Sequence, residues 1–281
     1  MHDPRLARFL RAAGLYAFLT VLALFALVPF LWLLSTSLSS GDVFTSRGLL
    51  DLVPERPTLD AYVRLFGMHE ELPLLRFFWN TFLLCTWGVV LEVSLAALAA
   101  YPLARMEFPG RDLVFAALLS TLMLPNQANM IVNFVTIRFL GLFDTLVAVV
   151  LPTAGSVFGI FLLRQAFLVI PRELEDAARI DGCGELGLFW HVCLPLVRPA
   201  MGTLALFAFV SHWNSLLWPL VVLKSAERYP LSVGMAYMAE TFDSEFRIVA
   251  AGSVVGMVPI VVLFLLVQRQ FIRGLTAGAV K

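Results

Sequence analysis

The hydrophobic residues of this chain do not alternate, nor do they recur as one helical stripe; they come in long runs. Six windows, roughly 13–38, 77–101, 113–136, 145–169, 200–223 and 248–268, stay apolar for about 20 residues or more, enough for a helix to cross the hydrocarbon core of a bilayer. A backbone in hydrocarbon must satisfy its hydrogen bonds within the segment, so each run is read as a helix and the fold class as all-α. Polar residues gather between the runs. The outer segments are 39–75, 137–144 and 224–247, the inner ones 102–112 and 170–199, and a tail, 272–281, follows the last run. The pattern predicts one polytopic membrane domain over 1–281, with six transmembrane helices and both termini on one side.

Composition agrees. With 60% hydrophobic and 14% charged positions and a mean hydropathy of +0.86, the chain falls outside soluble globular domains. The first run follows Arg5, Arg8 and Arg11 and is longer than the apolar part of a secretory signal, so it reads as an uncleaved first helix. Placing the N-terminus in the cytoplasm leaves about 12 Lys/Arg inside and about 8 outside, the expected direction of the bias. Cys85 falls in a helix and Cys183 and Cys193 on the reducing side, so all three are expected as free thiols. No long basic run suggests a nucleic-acid partner.

The inner segment 170–199 has explicit helix signals. Pro171 fits a first helical position, Glu173, Glu175 and Asp176 crowd the first turn, and Gly182 stands where a left-handed cap would end the helix. A second short helix, about 184–191, leads to Leu194 and Pro195. Residues 181–187, DGCGELG, contain the G-x-G-x-x-G spacing of a dinucleotide site. That motif needs a preceding strand and an acid about 20 residues on; here the preceding segment is helix-like and no Asp or Glu lies between Glu185 and Glu227. The glycines are read as turn and packing residues of a helix-turn-helix. The chain also lacks G-x-x-x-x-G-K-[ST], so it has no nucleotide-binding loop of that kind.

Taken whole, PRELEDAARIDGCGELGLFWHVCLPLVRP (Pro171 to Pro199) resembles the EAA loop of ATP-binding-cassette importer permeases, with E-A-A, three residues, G, and a later L-P. AAYPLARMEFPGR (Ala99 to Arg111), STLMLP (Ser120 to Pro125), FLLRQAF (Phe161 to Phe167), HWNSLLWPL (His212 to Leu220) and FIRGLTAGAVK (Phe271 to Lys281) extend the likeness to the second, six-helix permease of maltose and related sugar importers. Three positions depart from the pattern: Asp176 stands where Glu is usual, Cys183 where Ala is common, and Pro102 interrupts a stretch commonly free of Pro and is expected to kink the helix end.

The resemblance implies a bacterial or archaeal cytoplasmic membrane, a second permease, two ATPase subunits holding ATP and magnesium, and an extracytoplasmic solute-binding protein facing 225–247. It implies no cofactor in this chain. Residues 173–191 would dock on an ATPase: Glu173, Glu175, Asp176 and Asp181 as polar contacts, Ala177 and Ala178 for close approach, Gly182 setting the angle, and Phe189 and Trp190 as anchors, with Leu194 and Pro195 closing the element.

Intramembrane polar residues usually face a bundle interior or a water path. Asn126, Gln127, Asn129 and Asn133 in the third run, and His212, Trp213, Asn214 and Trp218 in the fifth, are candidates for a route taken by a sugar-like solute, or for bonds between helices. Glu92 is the carboxylate deepest in a run, which fits a structural pair, a contact with a second permease, or a proton relay. Met235 to Met238 faces either a partner or the sixth helix. The histidines are scattered and no nucleophile or metal motif occurs, so an enzyme is not expected. A glycerol-phosphate or polyol importer is the alternative close in kind. A proton-coupled secondary transporter would call for internal repeats and leaves the inner helix-turn-helix without a use.

Overall fold

The computed structural model describes residues 4–40, 53–54, 56–68, 73–241 and 245–277. The described residues are helical, with a single isolated bridge, Ser39 to Pro57, and no strand. The chain divides into two compact units, Met1–Leu72 with Met235–Val258, and Pro73–Gly234 with Pro259–Lys281.

In the first unit α1 (Pro4–Ser37) is exposed on every side over residues 11–27, and its last turn is buried, with Ser35, Thr36 and Ser37. That end is tied down by polar bonds. Ser37 Oγ lies 2.8 Å from the Tyr62 hydroxyl on α2 (Asp60–Gly67), and Arg247 donates to the Ser39 carbonyl at 3.2 Å. Met238 is fully buried and Met235 lies against Gly252, so the methionine segment packs on the last helix. Of the first outer segment, residues 41–52, 55 and 69–72 lie outside the described residues.

The second unit is organised around α3 (Leu74–Arg105), which runs on through Pro102 to Arg105. Small residues make its contacts close. Ala96, Ala97, Ala100 and Ala104 are buried with Leu163, Phe167 and Leu204, and a Cβ added at Gly159 would lie 3.1 Å from that of Ala96. Close backbone approach is how helices gain packing energy in lipid, where burial of apolar surface offers no advantage.

The count of six transmembrane helices is not confirmed. Among the described residues three helices are long and apolar enough to cross a membrane, or up to five if two bent pairs each count as one span. The window 113–136 is two helices, α4 (Arg111–Thr121) and α5 (Asn126–Phe139). Pro125, extended at ψ 132°, starts the second, and its ring disfavours helical backbone at Leu124. In the fourth window α6 (Leu146–Val150) and a tight turn precede α7 (Val157–Leu168), with a 48° bend. Ser156 caps α7 by accepting from Gly159 N–H at 3.0 Å. The inner element α8 (Arg172–Ile180) precedes α9 (Glu185–Leu196), which bends by 74° into α10 (Arg198–Trp213); α11 (Leu217–Val222) follows after a break at 214–216. Last come α12 (Leu231–Thr241) and α13 (Phe246–Ala277), so the expected tail is helical through Ala277, and 278–281 lie outside the described residues.

Candidate functional site

The inner helix-turn-helix forms as its signals predict, with two shifts. Pro171 is the residue before the helix rather than its first residue. The second helix extends past 191 to Leu196, and 188–193 adopt a wider π turn. Pro195 has no N–H to give the His191 carbonyl, and such a gap in the ladder is where the wider turn relieves the register. Between the arms Gly182 lies at φ +90°, with Gly182 N–H donating to Arg179 O at 3.0 Å and Cys183 N–H to Ala178 O at 2.9 Å. These bonds form a Schellman turn, which satisfies the last carbonyls of α8.

Glu173, Asp176, Ala177 and Asp181 are exposed, Ala178 half-buried, and Leu194 and Pro195 half-buried. Two expected docking residues are corrected. Phe189, 4% exposed, is packed against Tyr101 and Phe167 of its own chain, and Glu175 is buried in an ion pair. Both are taken up by the interior. The most exposed apolar residues around the turn are Ile180 (87% exposed), Leu186 (78%) and Trp190 (55%), with Leu174 and Leu196 also outside.

The partner of Glu175 is Arg105, at the end of α3. The Arg105 guanidinium donates to Glu175 Oε1 and, at 3.0 Å, to the Ile170 carbonyl just before α8; side-chain exposures are 6% and 4%. One turn earlier on α3, the Tyr101 hydroxyl donates to Glu185 Oε2 at 3.1 Å. Arg179 spans the turn, 3.1 Å from Glu185 Oε1 and 3.6 Å from Glu175 Oε2. Sequence reading missed this network because its members are up to 84 positions apart.

The proposed path residues fall into three groups. Gln127 and Asn129 are exposed at the start of α5, Asn133 is half-buried, and the side chain of Asn126 lies outside the description. Trp213, expected on the path, is instead buried between Phe78 and Phe209, with ring centroids 6.2 and 5.5 Å away. Trp218 is half-buried, donates to the Ala148 carbonyl at 3.1 Å, and packs against the buried cluster in which Ile137 of α5 and Val222 of α11 meet. Asn214 is exposed, and its amide closes its own helix on Val210 O at 2.9 Å. His212 faces inward instead: its Nε2 is 3.2 Å from Glu92 Oε2, off the angle of a hydrogen bond, and its ring fills the space that Gly88 leaves open. Glu92 thus has a charged or polar partner within the chain.

At the other end of the unit, Asp144 holds the segment after α11. Its carboxylate accepts from the N–H groups of Lys224 (2.9 Å) and Ser225 (3.1 Å), the Ser225 hydroxyl (2.6 Å) and Arg228 (2.9 Å). Desolvation pulls the Asp144 pKa up, but these hydrogen bonds and the Arg228 charge outweigh it and hold the carboxyl at about 2. Asn80, on α3, donates to the carbonyls of Glu227 (2.9 Å) and Tyr229 (3.0 Å).

In this chain the helix-turn-helix is held against α3 and α7 of its own unit. Residues 92–276 match the family described as "Binding-protein-dependent transport system inner membrane component". The chain belongs to this family. The arabinooligosaccharides transport system permease protein AraQ of Bacillus subtilis (strain 168) is 34% identical over 281 residues, 100% of this chain and 99% of the relative. AraQ of Halalkalibacterium halodurans is 37% identical over 271 residues, 95% and 94% of the two chains. A crystal structure of a bacterial transporter "involved in the import of the acidic polysaccharide alginate" contains a chain that superposes with a TM-score of 0.81 at 29% identity, over 96% of this chain and 99% of that one. The chain is a permease subunit of an ATP-binding-cassette importer, not an enzyme.

Proposed function

We propose that this permease forms half of the translocation path for a sugar or oligosaccharide across a bacterial cytoplasmic membrane, with both termini in the cytoplasm. A second permease completes the path, a solute-binding protein delivers the saccharide from outside, and two ATPase subunits bind ATP and magnesium and drive the cycle. The reading is carried by the helix-turn-helix: a preformed turn at Gly182 presents Ile180, Leu186 and Trp190 to the cytoplasm, apolar side chains that the chain itself leaves uncovered. Rigid apolar residues around a fixed turn suit a cleft on another protein. The saccharide assignment draws support from relatives named for arabinooligosaccharides and from the alginate importer. Gln127, Asn129 and Asn214 are the exposed polar candidates for its path.

Co-purification from native membranes, read by mass spectrometry, is expected to recover one further permease and an ATPase. The reconstituted complex with its binding protein should import labelled oligosaccharide only when ATP is supplied. Isolation without an ATPase, or import of glycerol phosphate but not saccharide, would reject the reading.

A further inference from the structure

We infer that Tyr101 and Arg105 are positioning residues that link movement of the inner helix-turn-helix to α3, each gripping a different arm of it; this rests on the function proposed above. The two are one turn apart, so they share a face of α3. Arg105 reaches the first arm, at the Glu175 carboxylate and at the Ile170 carbonyl that precedes it. Tyr101 reaches the second arm at Glu185, and its ring packs against Phe167 of α7 and Phe189 of α9. Arg179 then braces arm to arm through Glu175 and Glu185.

Three features make this a linkage rather than a chance ion pair. The first is charge pairing: Arg105 and Arg179 face Glu175 and Glu185, with Asp176 also 3.3 Å from Arg179, so each of these charges has an opposite within reach. The second is burial of the Arg105 to Glu175 pair, which removes competing water and makes separation of the two costly. The third is that the guanidinium serves two acceptors on different segments with its fixed fork, which a lysine ammonium cannot reproduce. A push on Ile180, Leu186 or Trp190 therefore reaches α3 through two separate bonds. Along α3 it arrives at the buried alanines that pack on α7 and α10.

The test uses the full transporter in proteoliposomes with its binding protein, reading saccharide imported per ATP hydrolysed. A role confined to folding lowers import and hydrolysis together, whereas loss of the linkage lowers their ratio. Arg105→Lys keeps the charge and is expected to reduce the ratio about tenfold through loss of the fork. Tyr101→Phe removes one hydroxyl, keeps the ring packing, and should reduce it about two- to threefold. Arg179→Gln should resemble Tyr101→Phe. An unchanged ratio in Arg105→Lys and Tyr101→Phe, with the complex intact, overturns the inference, as does a parallel fall in import and hydrolysis. Should Arg105→Lys fail to assemble, the single-atom change Tyr101→Phe decides the matter alone. A wild-type complex that lacks an ATPase overturns the function itself, a result seen before any variant is made.

Discussion

At Gly182 the requirement is a backbone angle and not space. A Cβ there would meet nothing within 4 Å, but φ is +90°, so Gly182→Val is expected to cost about 1–2 kcal/mol locally and to turn α9 away from α8. The variant should insert and pair, yet retain several-fold less ATPase on a pull-down, about tenfold less if the whole cost falls on docking. Gly184 is at φ −77° with open space, so Gly184→Ala should be close to wild type. Gly187→Ala should fall between, because its Cβ would lie 2.8 Å from Cys183 Sγ, which has to rotate away. Wild-type retention in Gly182→Val would refute the ranking. Asp144 makes a second claim at this scale. Its folded pKa, about 2, is below its ordinary 3.8, so its contribution to stability is complete above about pH 4 and is lost as pH falls through about 2. Hydrogen exchange of the Lys224 and Ser225 amides, corrected for intrinsic rate, should speed up across that window. Asp144→Asn should show faster exchange already at neutral pH, and equal protection in variant and wild type would contradict the clasp.

Among the elements, α9 was the least legible. The turn residues and acids of α8 are local signals, because a cap or a left-handed glycine depends on a few neighbours. By contrast, Phe189 and Trp190 are adjacent apolar residues with opposite fates, 4% and 55% exposed, and only the place of Tyr101 and Phe167 separates them. The cysteines supply a probe of the same element. Cys193 is fully buried and Cys183 half-exposed, so a membrane-impermeant thiol reagent should label Cys183 in inside-out vesicles of the unassembled permease and leave Cys193 unreacted. Equal labelling of both would mean that α9 is not packed on α3, and labelling of Cys183 from the outside would reverse the orientation. The third apolar window shows the opposite failure. Its hydropathy hid a break, since Pro125 alters backbone angles without lowering the apolar content around it.

For the molecule as a whole, the uncovered apolar surface is the main physical fact. Residues 11–27 of α1 are exposed all round, and α3 leaves Trp79, Phe82 and Trp87 outside as well. In water this would be an aggregation hazard; in lipid it is the ordinary boundary of a helix. The broken helices carry a related requirement. At 122–124 and 214–215 the N–H groups turn back onto carbonyls three or four residues earlier, which keeps irregular backbone satisfied at membrane depth. The exposed amides of Gln127, Asn129 and Asn214 lie beside those breaks, which is the physical ground for the solute path proposed above.

By itself the sequence determined the solvent of this protein, the helical class, the inner helix-turn-helix and the turn at Gly182. Each of these follows from composition or from residues within a few positions of one another, so it does not wait on the rest of the chain. Tertiary structure alone decided that Glu175 is paired with Arg105, that Trp213 and Phe189 are interior, that Glu92 lies by His212 and that Asp144 holds 224–228. Each of those outcomes rests on a contact between residues about 70 to 135 positions apart. Whether a polar side chain in an apolar run faces a path or a partner depends on which helix packs beside it, and close approach at Gly88 and Gly159 is what sets that neighbour.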